Sequence, residues 1–233
     1  MTLRVKAHIA AMALVTLSAT CVYAAPTDQY GTWNDGAFAG GAGSQISNSQ
    51  VNLQANWSNL TGNITTVAGD AVVQGAAGGN LMDITTMNNT VVNNSQIVGN
   101  AASIGSNINI SINNIGGSVG IQNQALCNGV SVSTDPTYAS THNYQECNAA
   151  DPSSTIIAKV NNIAGDAAIQ GSSLGNSFEA DSNAPNMPIW NKQINNAAVT
   201  STVNASILNV GGSTSTSSSA IGNTGQIIHY NTN

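Results

Sequence analysis

The sequence predicts an all-β chain coiled as a β-solenoid. Three observations carry that prediction: a motif repeated four times, two-residue alternation between the copies, and a composition almost empty of charge. The fullest copy of the motif runs from Ile163 through Gly165-Asp166 and Ile169-Gln170 to Asn176. Related copies lead with Val67, Ile115 and Val210 and end on Asn80, Asn128 and Asn223. In each, the Asn lies 13 positions after the leading residue, and the leading residues fall 48, 48 and 47 apart. A fixed period with fixed internal offsets marks a repeat architecture. A second series, Gln50, Gln96, Gln145 and Gln193, falls about halfway between Gln74, Gln122 and Gln170. The merged spacings run from 22 to 26, so the expected unit is half the obvious repeat: seven to eight rungs of roughly 24 residues, paired into 48-residue repeats. In the last copy Ser217 takes the Gln position.

Taken in order, the chain opens with Arg4 and Lys6 before an apolar run from Ile9 to Leu17, then Val22-Tyr23-Ala24. Small residues at −3 and −1 are what signal peptidase needs, so residues 1–24 read as a signal peptide with cleavage before Ala25 and export as the consequence. The apolar run is too short to span a membrane. Residues 25–48, rich in Gly and Ala around Trp33 and Phe38, read as an arm or cap. From Ser49 the alternation of strands sets in, clearest in Ile108-Asn109-Ile110-Ser111-Ile112-Asn113 and from Val199 to Ile207. Period two over such lengths means a strand with one buried face, and no segment sustains a helical period. The repeats are expected over 49–225, with 226–233 as a C-terminal edge strand.

Only 6% of residues are charged and 4% aromatic, yet 41% are apolar and much of the remainder is Asn, Ser, Thr, Gly and Gln. A conventional domain carries roughly a quarter charged residues, and a disordered chain would not hold Val and Ile in register. Uncharged amides suit a fold in which side chains stack on copies of themselves, because each amide both donates and accepts. Like charges at that spacing would repel. The Gln positions, together with Asn80, Asn128, Asn176 and Asn223, are therefore the expected structural ladder. Without residues 1–24 the chain keeps Lys159 and Lys192 against ten acids, a net of −8. That sign argues against binding nucleic acid or anionic membranes through a basic patch.

Gly69-Asp70, Gly117-Ser118, Gly165-Asp166 and Gly212-Ser213 are turn signals. They allow hairpin turns of type II′ with Gly at positive φ, or corners between sides of a coil. The coil is preferred because Gln and Asn recur along the whole chain and gain most when stacked; an array of antiparallel hairpins is the alternative. Residues 129–155, with two Asp-Pro steps, read as a loop bulging from one corner. Cys127 and Cys147 bracket most of it and are the only cysteines left after cleavage, so in an exported chain they read as a disulfide.

Ser95-Gln96-Ile97-Val98-Gly99-Asn100-Ala101 and Ile169-Gln170-Gly171-Ser172-Ser173-Leu174-Gly175-Asn176 resemble the curlin repeat, and the composition and leader resemble those of holdfast anchor proteins. The resemblance spans about 49–225 and implies a subunit or anchor of an extracellular, cell-surface adhesive fibre of amyloid type. Its expected partners are copies of itself, other fibre or anchor subunits, and extracellular polysaccharide. The Gln-to-Asn offset departs from a strict curlin: six at Gln74, four at Gln96 and three at Gln145.

Catalytic residues, cofactors and bound metals are not expected. His142 and His229 have no motif-placed carboxylate or nucleophile, and HExxH and P-loop patterns are missing. Asp70, Asp83 and Asp166 lack the recurring nonapeptide of calcium-binding β-rolls, and Asp70 and Asp166 serve more simply as turn residues. A second class of function, a monomeric adhesin or carbohydrate-binding solenoid, would use exposed Trp57, Tyr138, Tyr144 and Trp190.

Overall fold

The structure, a computed structural model, describes residues 44–134, 139–148, 150–184 and 186–230. Twelve strands follow one another: β1 (Ser44–Asn52), β2 (Asn56–Val67), β3 (Ala71–Thr86), β4 (Thr90–Val98), β5 (Ser103–Ile115), β6 (Val119–Thr134), β7 (Ala139–Cys147), β8 (Ala150–Ile163), β9 (Ala167–Ser182), β10 (Ile189–Asn195), β11 (Thr200–Val210) and β12 (Thr214–His229). They form three four-stranded sheets in the orders β1-β4-β7-β10, β2-β5-β8-β11 and β3-β6-β9-β12, here sides A, B and C. Every neighbouring pair is parallel. The chain is therefore a β-solenoid of four three-sided coils, and the hairpin array is excluded. No helix among the described residues is long and apolar enough to cross a membrane.

The expected 24-residue rung is corrected by the register. Gln50 pairs with Gln96, Gln96 with Gln145 and Gln145 with Gln193, all on side A. Gln74, Gln122 and Gln170 align on side C. The two series never meet in one ladder. A coil is the whole 48-residue repeat, and the half-period reflects two Gln positions on different sides of it.

Inward side chains on side B are nearly all apolar. Ile108, Ile110, Ile112 and Ile115 of β5 lie above Leu60, Gly62, Ile64 and Val67 and below Ile156, Ala158, Val160 and Ile163. With Val119, Ile121, Ala167 and Ile169 of side C they fill the largest apolar cluster. A second cluster surrounds Val98, Ile104, Ala125 and the cysteines, and a third Val92, Val130, Val132 and Phe178. Along β9 the alternation changes phase at Gly175-Asn176, where two consecutive residues are buried. That shift turns Asn128 and Asn176 inward although Gln122 and Gln170 of the same strands face out.

The corner between sides B and C is built differently from a type II′ turn. Thr66, Asn114, Asn162 and Asn209 carry positive φ, between 52° and 59°. Asn tolerates this left-handed conformation better than most residues. The glycines that follow are needed for closeness. A Cβ on Gly165 would stand 2.5 Å from Ser118 Oγ and 2.8 Å from Gly117 O, whereas Gly69, with no coil beneath it, would meet nothing within 4 Å.

Two boundaries differ from the sequence expectation. Pairing begins at Ser44, inside the segment read as an arm, and 226–229 are the end of β12 rather than a separate strand. The disulfide loop is not a bulge: residues 129–134 end β6, 139–147 form β7 in register with β4, and 150–155 begin β8. An extra residue is absorbed at Asp151-Pro152, where the β5–β8 register shifts and Asp151 takes a φ of 51°. The signal peptide, Trp33, Phe38, Tyr138 and residues 231–233 lie outside the described residues.

Candidate functional site

The polar interior and the two ends it leads to are the chemically distinctive parts of the molecule. On side A, Gln96 is fully buried; its Nε2 donates to Gln50 Oε1 (2.8 Å) and across the lumen to Gly129 O (3.2 Å). Gln145 repeats the arrangement, donating to Gln96 Oε1 (3.0 Å) and Ser177 O (3.0 Å), and Gln193 donates to Gln145 Oε1 (2.9 Å) and Thr224 O (3.0 Å). On side C the Asn ladder runs the opposite way. Asn80 Nδ2 donates to Asn128 Oδ1 (2.9 Å), Asn128 to Asn176 (2.8 Å) and Asn176 to Asn223 (2.8 Å). Their second N–H groups reach Ile97 O, Glu146 O and Ile194 O on side A of the next coil. The two ladders thus tie sides A and C across the lumen and satisfy amides that would otherwise be costly to bury.

Sequence reasoning missed a third interior ladder. Asn48, Asn94, Asn143 and Asn191 are joined by Nδ2-to-Oδ1 bonds of 2.6, 2.6 and 2.7 Å. The signal was present: each sits two residues before a ladder Gln, on the same face of the strand. Gln74, Gln122 and Gln170 are exposed, with Gln74 donating to Gln122 at 3.1 Å. They decorate the surface rather than the core.

At the Gly-Asp and Gly-Ser corner the side chains alternate up the stack. Asp70 Oδ1 accepts the Ser118 N–H (2.7 Å), Ser118 Oγ accepts the Asp166 N–H (3.1 Å), and Asp166 Oδ1 accepts the Ser213 N–H (2.7 Å). Each side chain serves the next coil rather than its own turn. The alternation keeps carboxylates two coils apart, about 10 Å, so like charges do not stack.

Cys127 Sγ and Cys147 Sγ are bonded, with Cα atoms 6.0 Å apart and both residues fully buried. The bridge joins β6 on side C to β7 on side A, across the interior and between the second and third coils.

Of the four aromatics expected to form a binding surface, the structure brings together two. Trp190 and Tyr144 lie on the outer face of side A in the fourth and third coils, paired respectively with His142 and Lys192. The Trp190 and His142 rings are 6.5 Å apart, Lys192 Nζ lies 5.6 Å from the Tyr144 ring, and Tyr144 OH donates to Glu146 Oε2 (2.6 Å). Trp57 stands on side B, lying over Gly105, where a Cβ would collide with its ring.

These features define a parallel β-solenoid stabilised by amide ladders and one internal disulfide. No family model, curated protein or solved structure matches the chain.

Proposed function

We propose that the chain is an exported structural protein, a self-assembling subunit or anchor of a curli-like or holdfast-like cell-surface fibre that serves attachment and biofilm formation. The observation that supports this reading most is the state of the two ends. In the first coil the interior position Leu60 of β2, in register with buried Ile108, is exposed, and in the fourth coil so is Ile227 of β12, in register with buried Ala180. Proteins usually blunt sheet edges with charge, proline, bulges or a cap, and solenoids need polar capping repeats for solubility. The strands of these end coils contain no proline, and their only Lys, Asp or Glu residues are Asp83 in β3 and Lys192 in β10. Three sheets end in edges that favour addition of another strand.

The test is a time course of the purified exported protein. The parent should form thioflavin-positive filaments, and Ile227→Lys should slow growth strongly while leaving the monomer's β-type circular dichroism intact, because a charge would have to be buried at the new contact. Equal growth rates would remove the terminal-edge explanation. The exported protein should also begin at Ala25 by intact mass.

A second reading, a monomeric adhesin that binds polysaccharide, is favoured by the His142, Tyr144, Glu146, Trp190 and Lys192 group on side A. It combines aromatic faces with charge on a molecule otherwise coated in Ser, Thr and Asn. A chain that stays monomeric and is retained by a glycan column would support it.

A further inference from the structure

We infer that the partner for each open end is a second copy of this chain, stacked head to tail in coil register. In that junction β10, β11 and β12 of one molecule pair with β1, β2 and β3 of the next as if they were consecutive coils of one solenoid. The inference rests on the self-assembly reading and adds polarity and register to it.

Carrying the observed register one coil further is the first argument. On side A the alignment of Ile189 with Thr141, Val92 and Ile46 places Gln193 on Gln50 and Asn191 on Asn48 of the next copy. On side B it places Ile207 on Ile64 and Val210 on Val67, and on side C Asn223 on Asn80 and Ile227 on Ile84. These interior positions match in type although the paired residues lie more than 140 positions apart in the chain. No position stacks two like charges.

The amides give the contact a direction. At the fourth coil Gln193 Oε1 has no donor among the described residues, and at the first coil Gln50 Nε2, which gives one N–H to Leu81 O (3.1 Å), has a second to give. The Asn ladders run in the reverse sense, so Asn191 and Asn223 offer N–H groups where Asn48 and Asn80 of the next copy offer Oδ1. Head-to-tail stacking matches donor to acceptor in all three ladders. Head-to-head stacking sets donor against donor on side A and acceptor against acceptor in the Asn ladders.

Parity is the second argument. The corner alternates Asp70, Ser118, Asp166, Ser213, and the position two residues earlier alternates Ala68, Gly116, Ala164, Gly211. Both alternations have a period of two coils, so four coils hold two whole periods. The next copy then brings Asp70 onto Ser213 and Ala68 onto Gly211, continuing both patterns. A chain of three or five such coils would set Asp on Asp.

One position is polar only at the ends. Asn52 and Asn195 share a register with Val98 and Cys147, the apolar residues of the middle coils. Asn52 Nδ2 and Asn195 Oδ1, one donor and one acceptor, are the buried side-chain polar atoms left without a partner among the described residues. The other atom of each amide is held locally, by the Gln54 N–H and by Ala197 O. Stacking places these two amides on adjacent coils, where rotation of the side chains pairs them.

Cysteine crosslinking of the exported chain, whose own Cys127 and Cys147 are already bonded to each other, tests the geometry. Asn204 and Thr61 are exposed, outward-facing and aligned through Ile157 and Asn109, so they meet only across the junction. Asn204→Cys with Thr61→Cys, oxidised after assembly, should give a ladder of covalent dimers, trimers and higher species on a non-reducing gel. Either substitution alone should give none, and Asn204→Cys with Asn63→Cys, shifted by two residues, should give none because the Cα atoms then lie beyond disulfide reach of about 7 Å. Filaments that crosslink through a single substitution, or through the shifted pair, overturn the register while leaving the fibre reading standing. Absence of filaments from the parent by light scattering and microscopy overturns both.

Discussion

Replacing Gln96 with Met tests whether the buried amide ladder holds the coils together. Met has nearly the length and volume of Gln, so the change removes hydrogen bonds with little cavity. Three bonds are lost: Gln96 to Gln50, Gln96 to Gly129 O, and Gln145 to Gln96. At about 1 kcal/mol net for each bond, with a further 1–3 kcal/mol for the Gln145 N–H left unpaired in the interior, the loss comes to about 4–6 kcal/mol. Burying an apolar side chain in place of an amide returns part of this, leaving roughly 2–4 kcal/mol. For a chain of this size that is roughly 5–15 °C in Tm. Gln122→Met is the paired control, since Gln122 belongs to the same 24-residue pattern in the sequence but faces solvent; its effect should stay within about 0.5 kcal/mol. Urea melts followed by circular dichroism and by tryptophan fluorescence report both variants. Equal losses at the two positions would refute the assignment of one Gln series to the interior and the other to the surface.

Removing the disulfide with Cys127→Ala and Cys147→Ala should cost about 3 kcal/mol for a loop of 20 residues while leaving the β-type circular dichroism, and because both cysteines are buried, native protein should resist reductant far longer than urea-unfolded protein in a thiol-labelling assay. Ser118→Asp would stack three carboxylates on neighbouring coils and should lower Tm by several degrees in low salt, with much of the loss recovered at 1 M salt, where screening acts over about 3 Å. Gly165→Ala should destabilise by 1 kcal/mol or more and Gly69→Ala should be near neutral, a contrast readable by differential scanning fluorimetry. Asn162→Ala should cost about 1–2 kcal/mol through its positive φ and the loss of its 3.0 Å bond to Asn114.

The fold class was legible in the sequence because period two and the 48-residue period are both written in side-chain chemistry, and parallel stacking brings each repeated residue onto its copy. The number of coils was not, since Gln occurs on two sides of each coil and spacing alone does not say which side. A finer signal lay in the neighbours. Val73-Gln74, Ile121-Gln122 and Ile169-Gln170 put the apolar residue inside and Gln outside, whereas Gln96-Ile97 and Gln193-Ile194 reverse the order because Gln is the buried member. Ordinary binary patterning places the apolar residue inside in both cases, and only the lumen-crossing bonds of Gln96 reverse it. The disulfide was legible from the cysteine count read together with the expected export. Its surroundings were misread as a loop because Pro136, Pro152 and the low density of Val and Ile hid the alternation of β7, whose inward positions Asn143 and Gln145 belong to the polar ladders. The corner signals were legible as corners of a coil, but the reason for glycine there, room beneath the next coil, shows only once the coils are stacked.

The axial repeat of the assembled fibre is the most direct test of the account as a whole. Four coils at about 4.8 Å each make the solenoid about 19 Å tall along its axis. Helical reconstruction from electron cryo-microscopy should give a subunit rise of about 19 Å with strands stacked at about 4.8 Å within it. A rise of about 4.8 Å per chain, meaning that each molecule contributes a single layer, would contradict the four-coil solenoid as the unit of assembly, and a parent protein that stays monomeric would contradict the fibre itself.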